Sequence, residues 1–485
     1  MIIPIPEIVD GLPNICGADY QVEEATRDQK PVFLPETNLR LDKLRAVFAI
    51  ALHMQQPLIP EGGADRNTAE LISNLDYMMR HQDTGDNHNA PVFAECYARI
   101  GDIVPELLKE GHNPRVMLDY SGELLYGLRR MNRGDVLDRL RGITCDPNLR
   151  RHAEWLGTMW GHAVVSSTPP PDFKLHIRAW QHHFAAIYGW EALSRVRGFS
   201  PPEMHLPNHP DVAYEYIKAL KECGYRWLLA QEHTVETIDG KSLTEKYLPS
   251  RLIAKNSSGE ETSIIAIIKT QGSDTKLVAQ MQPYYEAKTL SRRNVGNISI
   301  PAIVTQIGDG ENGGVMMNEF PACYRQAIRS FGDGDVVNAN VTEYLELIEQ
   351  AGVREEMLPQ ICPIHQTAVL ARIKTPHPGA ADEAITEIKK TNPSFSMDGG
   401  SWTNNISWVK GYDNVLTPMN RLSALFHQKL DNRVVDKNSS SYRRALFHLL
   451  VAETSCFRYW GQGLWTDYAK EICRRGTDIL NSDFT

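Results

Sequence analysis

Two short stretches of this sequence hold carboxylates in settings suited to chemistry. The first is residues 197–212, R-G-F-S-P-P-E-M-H-L-P-N-H-P-D-V, where Glu203 sits in a loop stiffened by Pro201, Pro202, Pro207 and Pro210. The second is residues 308–314, G-D-G-E-N-G-G, where Asp309 and Glu311 stand among glycines that let a ligand approach closely. Each has an ordinary alternative. A proline-flanked acid is commonly a surface turn, and a Gly/Asp-rich run is commonly a turn or a cation loop. The spacing is not that of an EF-hand, which argues against calcium.

The surrounding elements decide how much weight the two loops bear. Residues 173–195 repeat apolar and aromatic side chains every three or four positions, which predicts a long helix. Pro210 can open the next helix and Gly224 close it, and residues 225–231 follow as a strand. Glu203 therefore lies on a helix-to-helix connection with room for a short strand at most. Residues 299–307 form a near-continuous apolar run, the pattern of a strand buried on both faces, and deliver Asp309 at its end. Loops at the C-terminal ends of strands are where β/α barrels carry their chemistry.

Upstream, residues 45–53 predict a central strand that delivers His53, Gln55 and Gln56 ahead of Pro57. Helical patterns cover residues 68–80 and 91–109, and a strand covers 115–118. Ser121 is a cap for the helix through Arg130, with Glu123 in its first turn. Further strands fall at 263–269 and 336–341, and further helices at 276–285 and 318–330. Thr342 is the expected N-cap of a helix over 343–350, without a capping box because Leu345 occupies the third position on. About seven strands, and no Gly-rich dinucleotide fingerprint, predict an α/β fold built as an incomplete (β/α)7-type barrel rather than a doubly wound sheet. Residues 353–400 are richer in proline, and helical patterns return at 417–430, 440–454 and 466–480. The expected domains are thus a barrel, residues 1–352, whose first 40 residues form a polar surface extension, and a mostly helical C-terminal domain, residues 353–485.

Composition sets limits. A net charge of -9 over 485 residues, with no basic stripe, argues against nucleic acid as a partner. The eight cysteines show no C-x-x-C spacing and predict small buried residues in a reducing compartment. The N-terminus has no basic region followed by a long apolar run, and no stretch reaches membrane-spanning length, so a soluble, cytoplasmic protein without a membrane partner is expected. His176, His182 and His183 cluster in a helical segment but lack the i, i+4 pair with a general base of a zinc helix. No metal and no cofactor is assigned, and the oligomeric state is left open.

As an ordered set, these stretches resemble glycoside hydrolase family 57, retaining enzymes active on α-glucans. G-F-S-P-P-E is similar to that family's nucleophile motif and the apolar run into D-G-E to its acid/base motif, which implies Glu203 as nucleophile and Asp309 as general acid/base. The first strand's H-x-H-Q-P motif stands here as His53-Met54-Gln55-Gln56-Pro57, with Gln55 in place of a histidine. Residues 154–169 resemble the family's second region, which implies sugar contacts from Glu154 and His162 and a stacking face on Trp160, with plain core packing as the alternative for the tryptophan. Glu311 joins His53, Gln55 and Gln56 as a substrate-binding residue. The D-G-G-S-W segment offers Trp402 and, further on, Trp408. Ser455, Cys456 and Trp460 resemble an S-D-x-x-W element of a C-terminal domain that shapes the cleft, with Cys456 where an aspartate is expected. Asn312 to Gly314, followed by Val315, lack the family's bulky aromatic segment. The resemblance implies an α-1,4-glucan or maltooligosaccharide substrate and α-amylase-like, 4-α-glucanotransferase or branching activity. Two other classes are weighed beside it: a non-catalytic glucan-binding relative, and a metal-dependent polysaccharide deacetylase.

Overall fold

The computed structural model of the protein describes residues 4–270, 276–311, 315–330, 334–397, 399, 412–459 and 463–484. Seven parallel strands close on themselves: β1 (Ala46–Met54), β2 (Val116–Tyr120), β3 (Ala153–Gly157), β4 (Gly198–Phe199), β5 (Trp227–Gln231), β6 (Glu261–Lys269) and β7 (Ala302–Asp309). Neighbours in the chain are neighbours in the barrel, and β7 returns to pair with β1. The sequence expectation of a seven-strand barrel with a helical C-terminal region is met.

β1 shows why such strands are apolar throughout. Val47, Ala49 and Ala51 point into the barrel and pack with Met117, Leu156, Leu229, Ile267 and Ile303. Phe48, Ile50, Leu52 and Met54 point outward beneath the helices. Both faces are thus removed from water. The same alternation puts His53, Asp119, Gln231, Lys269 and Asp309 on inward positions at the C-terminal ends, in register pairs Asp309–His53, His53–Asp119 and Lys269–Gln231. One end of the barrel is therefore polar.

Helices surround the strands, among them α1 (Ala90–Ala98), α2 (Gly122–Arg130), α3 (Phe173–Tyr188) and α4 (Pro210–Glu222). α5 (Val341–Gln350) closes the opposite, N-terminal mouth, with Val341, Tyr344, Leu345 and Ile348 packed into the barrel core. Past it, α6 (Asp413–Leu430), α7 (Ser440–Ala452), α8 (Cys456–Tyr459) and α9 (Leu464–Asp483) form the C-terminal helical region. Among the described residues no helix is long and apolar enough to cross a membrane.

Several local expectations change, among them four with a clear physical reason. The single helix over 173–195 breaks at Gly189, whose φ of 93° a side chain would resist, into α3 and the turn Trp190–Leu193. The strand over 299–307 is interrupted by Pro301, which has no N–H for the ladder, so that Ile298–Ile300 form a hairpin strand and β7 starts at Ala302. The helix over 68–80 begins only at Asn74, capped by Ser73. The cap of α5 is Asn340, not Thr342, and its N–H donates to Glu343 Oε2 at 3.4 Å, the reciprocal bond of a capping box. Thr342 instead reaches across to β3.

Candidate functional site

At the polar end of the barrel a buried chain of hydrogen bonds starts from Asp119. Its Oδ2 accepts from Ser200 Oγ at 2.7 Å and lies 2.8 Å from His53 Nδ1. His53 Nε2 in turn lies 3.0 Å from His162 Nε2, and His162 Nδ1 lies 2.7 Å from Ser455 Oγ. Burial opposes charge on His53, but the carboxylates of Asp119, Asp309 and Glu311 outweigh it and push its pKa up to about 10. His162 moves the other way, held well below the usual range by burial, by His53 and by Arg458. Lys269, buried beside Gln231, is pulled down to about 8 by desolvation, against the attraction of Glu232.

Asp309 ends β7 directly beside His53, and the turn that follows is locked by Gly310 N–H donating to His53 O at 2.8 Å. A side chain at Gly310 would meet the thioether end of Met54, which would have to swing aside. Glu311 then folds back: its Oε1 accepts the Gln55 N–H at 3.1 Å, and its buried Oε2 meets no partner among the described residues. Burial and the charge of Asp309 raise the Glu311 carboxyl to about 8, against the pull of His53.

Gln55 connects this side to the opposite wall. Its Nε2 donates to Glu123 Oε2 at 3.1 Å, and Cys456 Sγ lies 4.0 Å from the same nitrogen. Glu123 Oε1 accepts from Thr454 Oγ1 at 2.7 Å. Burial drives the Glu123 carboxyl well up, although Thr454, Gln55 and the Leu58 backbone all donate to it. Cys456 is buried and its thiol is pushed up by burial and by the charges of Glu123 and Glu203.

Glu203 lies four residues past the two-residue β4, in the loop the prolines stiffen. It adopts φ 59°, ψ 20°, and Met204 follows at φ 50°. Two successive left-handed residues other than glycine each cost of order 1–3 kcal/mol and persist where the surroundings enforce them. Here Pro201 and Pro202 accept the N–H groups of Met204 and His205, while Met204 is sealed in the barrel core. The backbone is bent so that Met204 goes in and Glu203 stays half-buried at the rim.

Of the residues expected at the site, His53, Gln55, His162, Glu203, Asp309 and Glu311 are brought to this end. Gln56 is adjacent, but its amide is engaged on both sides, donating to Tyr97 OH and accepting from Asn74 Nδ2. Glu154 is not there. It sits low on β3 and accepts the Thr342 N–H and hydroxyl at the start of α5, with its pKa raised to about 8 by burial. This corrects its assignment to sugar contact. Trp160 is corrected too: it is fully buried, donates to His183 Nδ1 at 3.2 Å and lies over Gly122, leaving no face for a pyranose. Trp402, Trp408 and Trp460, with the segment 312–314, lie outside the described residues. His176, His182 and His183 are packed, each held neutral by burial.

Sequence reasoning missed Asp119, Glu123, Ser200 and Thr454. Asp119 had a readable signal, because Met117 and Asp119 share the inward face of β2. Ser200 stood inside the quoted G-F-S-P-P-E motif without a role. Thr454 arrives from α7 across 331 residues of sequence separation, which no local pattern encodes.

No family model matches the sequence, and no curated protein matches it by sequence. Solved structures do. The chain superimposes on a GH57-type branching enzyme from the archaeon Pyrococcus horikoshii with a TM-score of 0.53 and 11% identity, over 90% of this chain and 88% of that one. It also superimposes on the 4-alpha-glucanotransferase from Thermococcus litoralis with a TM-score of 0.51 and 16% identity, over 85% of this chain but 55% of the other. At these identities the likeness establishes a shared fold, barrel and helical region together.

Proposed function

We propose that the protein is a retaining glycoside hydrolase or transglycosylase acting on α-1,4-glucans, with Glu203 as nucleophile and Asp309 as general acid/base. The reading is supported by the neighbours of Asp309 at the polar barrel mouth, with Asp309 beside His53 on the paired strand, Glu311 bound by Gln55 and Gln55 close to Cys456, and by the charge of Glu203 acting on the Cys456 thiol. The fold these residues sit on is shared with a glucanotransferase and a branching enzyme.

In this scheme Glu203 attacks the anomeric carbon while Asp309 gives its proton to the departing oxygen, leaving a covalent glycosyl-enzyme. Asp309 then takes a proton from water or from a sugar hydroxyl, and the acceptor decides between hydrolysis and transfer. Incubating maltoheptaose with wild type and with Glu203→Gln tests this. Shorter products alone indicate hydrolysis, and a ladder of longer and shorter products indicates transfer; the variant must abolish either. A second reading has its own support in the cleft wall of Gln55 and Cys456, where the resembled family carries histidine and aspartate. Maltooligosaccharide binding without turnover by wild type would establish that non-catalytic role. Residence in the cytoplasm remains part of the same proposal.

A further inference from the structure

Three consecutive residues of the turn after α7 each grip a different part of the barrel mouth. Glu453 Oε2 lies 2.7 Å from His176 Nε2, and His176 Nδ1 accepts the Gly161 N–H at 3.2 Å. Thr454 holds Glu123, which holds Gln55. Ser455 holds His162 twice, through Oγ and Nδ1 and through its N–H to the His162 carbonyl at 3.3 Å, and His162 holds His53. His162 itself is bent to φ 52°, a conformation a non-glycine residue keeps only under constraint. All of Glu453, Thr454 and Ser455 are buried.

We infer that Ser455, supplied by the C-terminal helices, is a positioning residue that fixes the proton arrangement of the His162–His53 pair and so the charge next to Asp309. The argument is one of proton counting. Only one proton fits between two Nε2 atoms 3.0 Å apart. Either His53 donates and His162 accepts, or the reverse. If His162 accepts at Nε2, its single proton is on Nδ1 and is donated to Ser455 Oγ. His53 is then doubly protonated, donating Nδ1–H to Asp119 and Nε2–H to His162. The groups facing the pair select this arrangement. Asp119 on β2 favours the cation on His53, as do Asp309 on β7 and Glu311 beyond it when they are ionised, while Arg458 on α8 disfavours one on His162. Ser455 completes the chain as the acceptor that keeps the His162 proton on Nδ1.

For the rate this rests on the proposed role of Asp309; for the tautomer it does not. The experiment is 15N NMR of histidine-labelled full-length protein, wild type, Ser455→Ala and Ser455→Thr, with pH–rate profiles on maltoheptaose. Wild type should show His162 as the neutral Nδ1–H tautomer and His53 as an imidazolium that persists beyond pH 8. Ser455→Ala should free His162 to take its proton on Nε2 and lower the His53 midpoint by at least about one pH unit, a tenfold change in its proton affinity. Ser455→Thr, which keeps the hydroxyl, should restore both signals. If Asp309 is the acid, Ser455→Ala should also lower kcat roughly 10- to 100-fold at little changed KM. The alkaline limb of its profile should move upward, because a lost neighbouring cation lets Asp309 keep its proton longer. A wild-type His162 that carries its proton on Nε2 overturns the inference without recourse to any variant. So does an unchanged His53 titration in Ser455→Ala. A correct tautomer with no glucan turnover leaves the inference standing and removes the enzymatic reading instead.

Discussion

Glu311 Oε1 accepts the backbone N–H of Gln55 at 3.1 Å while its other oxygen is buried without a partner among the described residues. The two residues close the mouth between β1 and β7 and keep a carboxyl two residues from Asp309. Such a carboxyl is held protonated at neutral pH, its pKa raised from the ordinary range to about 8.

The sign of its effect on stability follows. The unfolded chain ionises Glu311 near pH 4.5 and the folded chain only near pH 8, so between them the native state holds the extra proton and stability falls as pH rises. Glu311→Gln removes that slope. Its melting temperature should gain on wild type steadily from pH 5 to pH 8, by an amount worth at least about 1 kcal/mol. Thermal unfolding at four pH values checks this, and parallel curves would contradict it.

His427 on α6 gives a pH slope of the same sign at higher pH, from a stabilising ion pair in place of a buried acid. Its Nε2 lies 2.6 Å from the buried Asp172 and its Nδ1 2.8 Å from Asp431, and these bonds, Asp172 first, raise its pKa from 6.5 to about 9 against desolvation. The stabilisation is fully present below pH 6.5 and is lost as pH climbs through 9. His427→Gln should therefore cost on the order of 1–3 kcal/mol at pH 6 and much less at pH 9.5. Denaturant titrations at both values measure it, and an equal loss at both would refute the pairing.

How much of this was legible in the sequence follows from where the information lies. β1 and β7 could be read because a parallel strand buried on both faces leaves an unbroken apolar run. The two catalytic candidates could be read because prolines and glycines mark them. Glu154 and Trp160 were misplaced because the sequence between residues 154 and 169 leaves height along the barrel axis undetermined. Glu154 is inward-facing, as expected of a ligand-binding residue, but near the end that α5 seals. Likewise Asn340 was overlooked as a cap because β-branched residues extend the strand pattern to Val341, although the observed strand ends at Asn338.

The corrected positions of Glu154 and Trp160 make the last prediction. Glu154 joins β3 to α5 through Thr342, whose hydroxyl also accepts from Trp227 Nε1 at 2.8 Å. Trp160 fills the space over Gly122 between α2 and α7, with its ring edge-to-face on Phe447. The Glu154 carboxylate and the Trp160 indole are both engaged inside the fold, so both are expected to act on the fold and not on a bound sugar. Glu154→Ala leaves the Thr342 N–H and hydroxyl without their acceptor and should cost about 1–3 kcal/mol. Trp160→Phe removes the donor to His183 and part of a large buried ring, and should cost about the same or more. In both variants KM for a maltooligosaccharide should stay within about twofold, since sugar stacking lost from a cleft is worth far more than that. Calorimetry of unfolding and steady-state kinetics on the same preparations separate the two outcomes. A large rise in KM with unchanged stability would return Trp160 to the binding surface and require that its indole swing out of the core on binding.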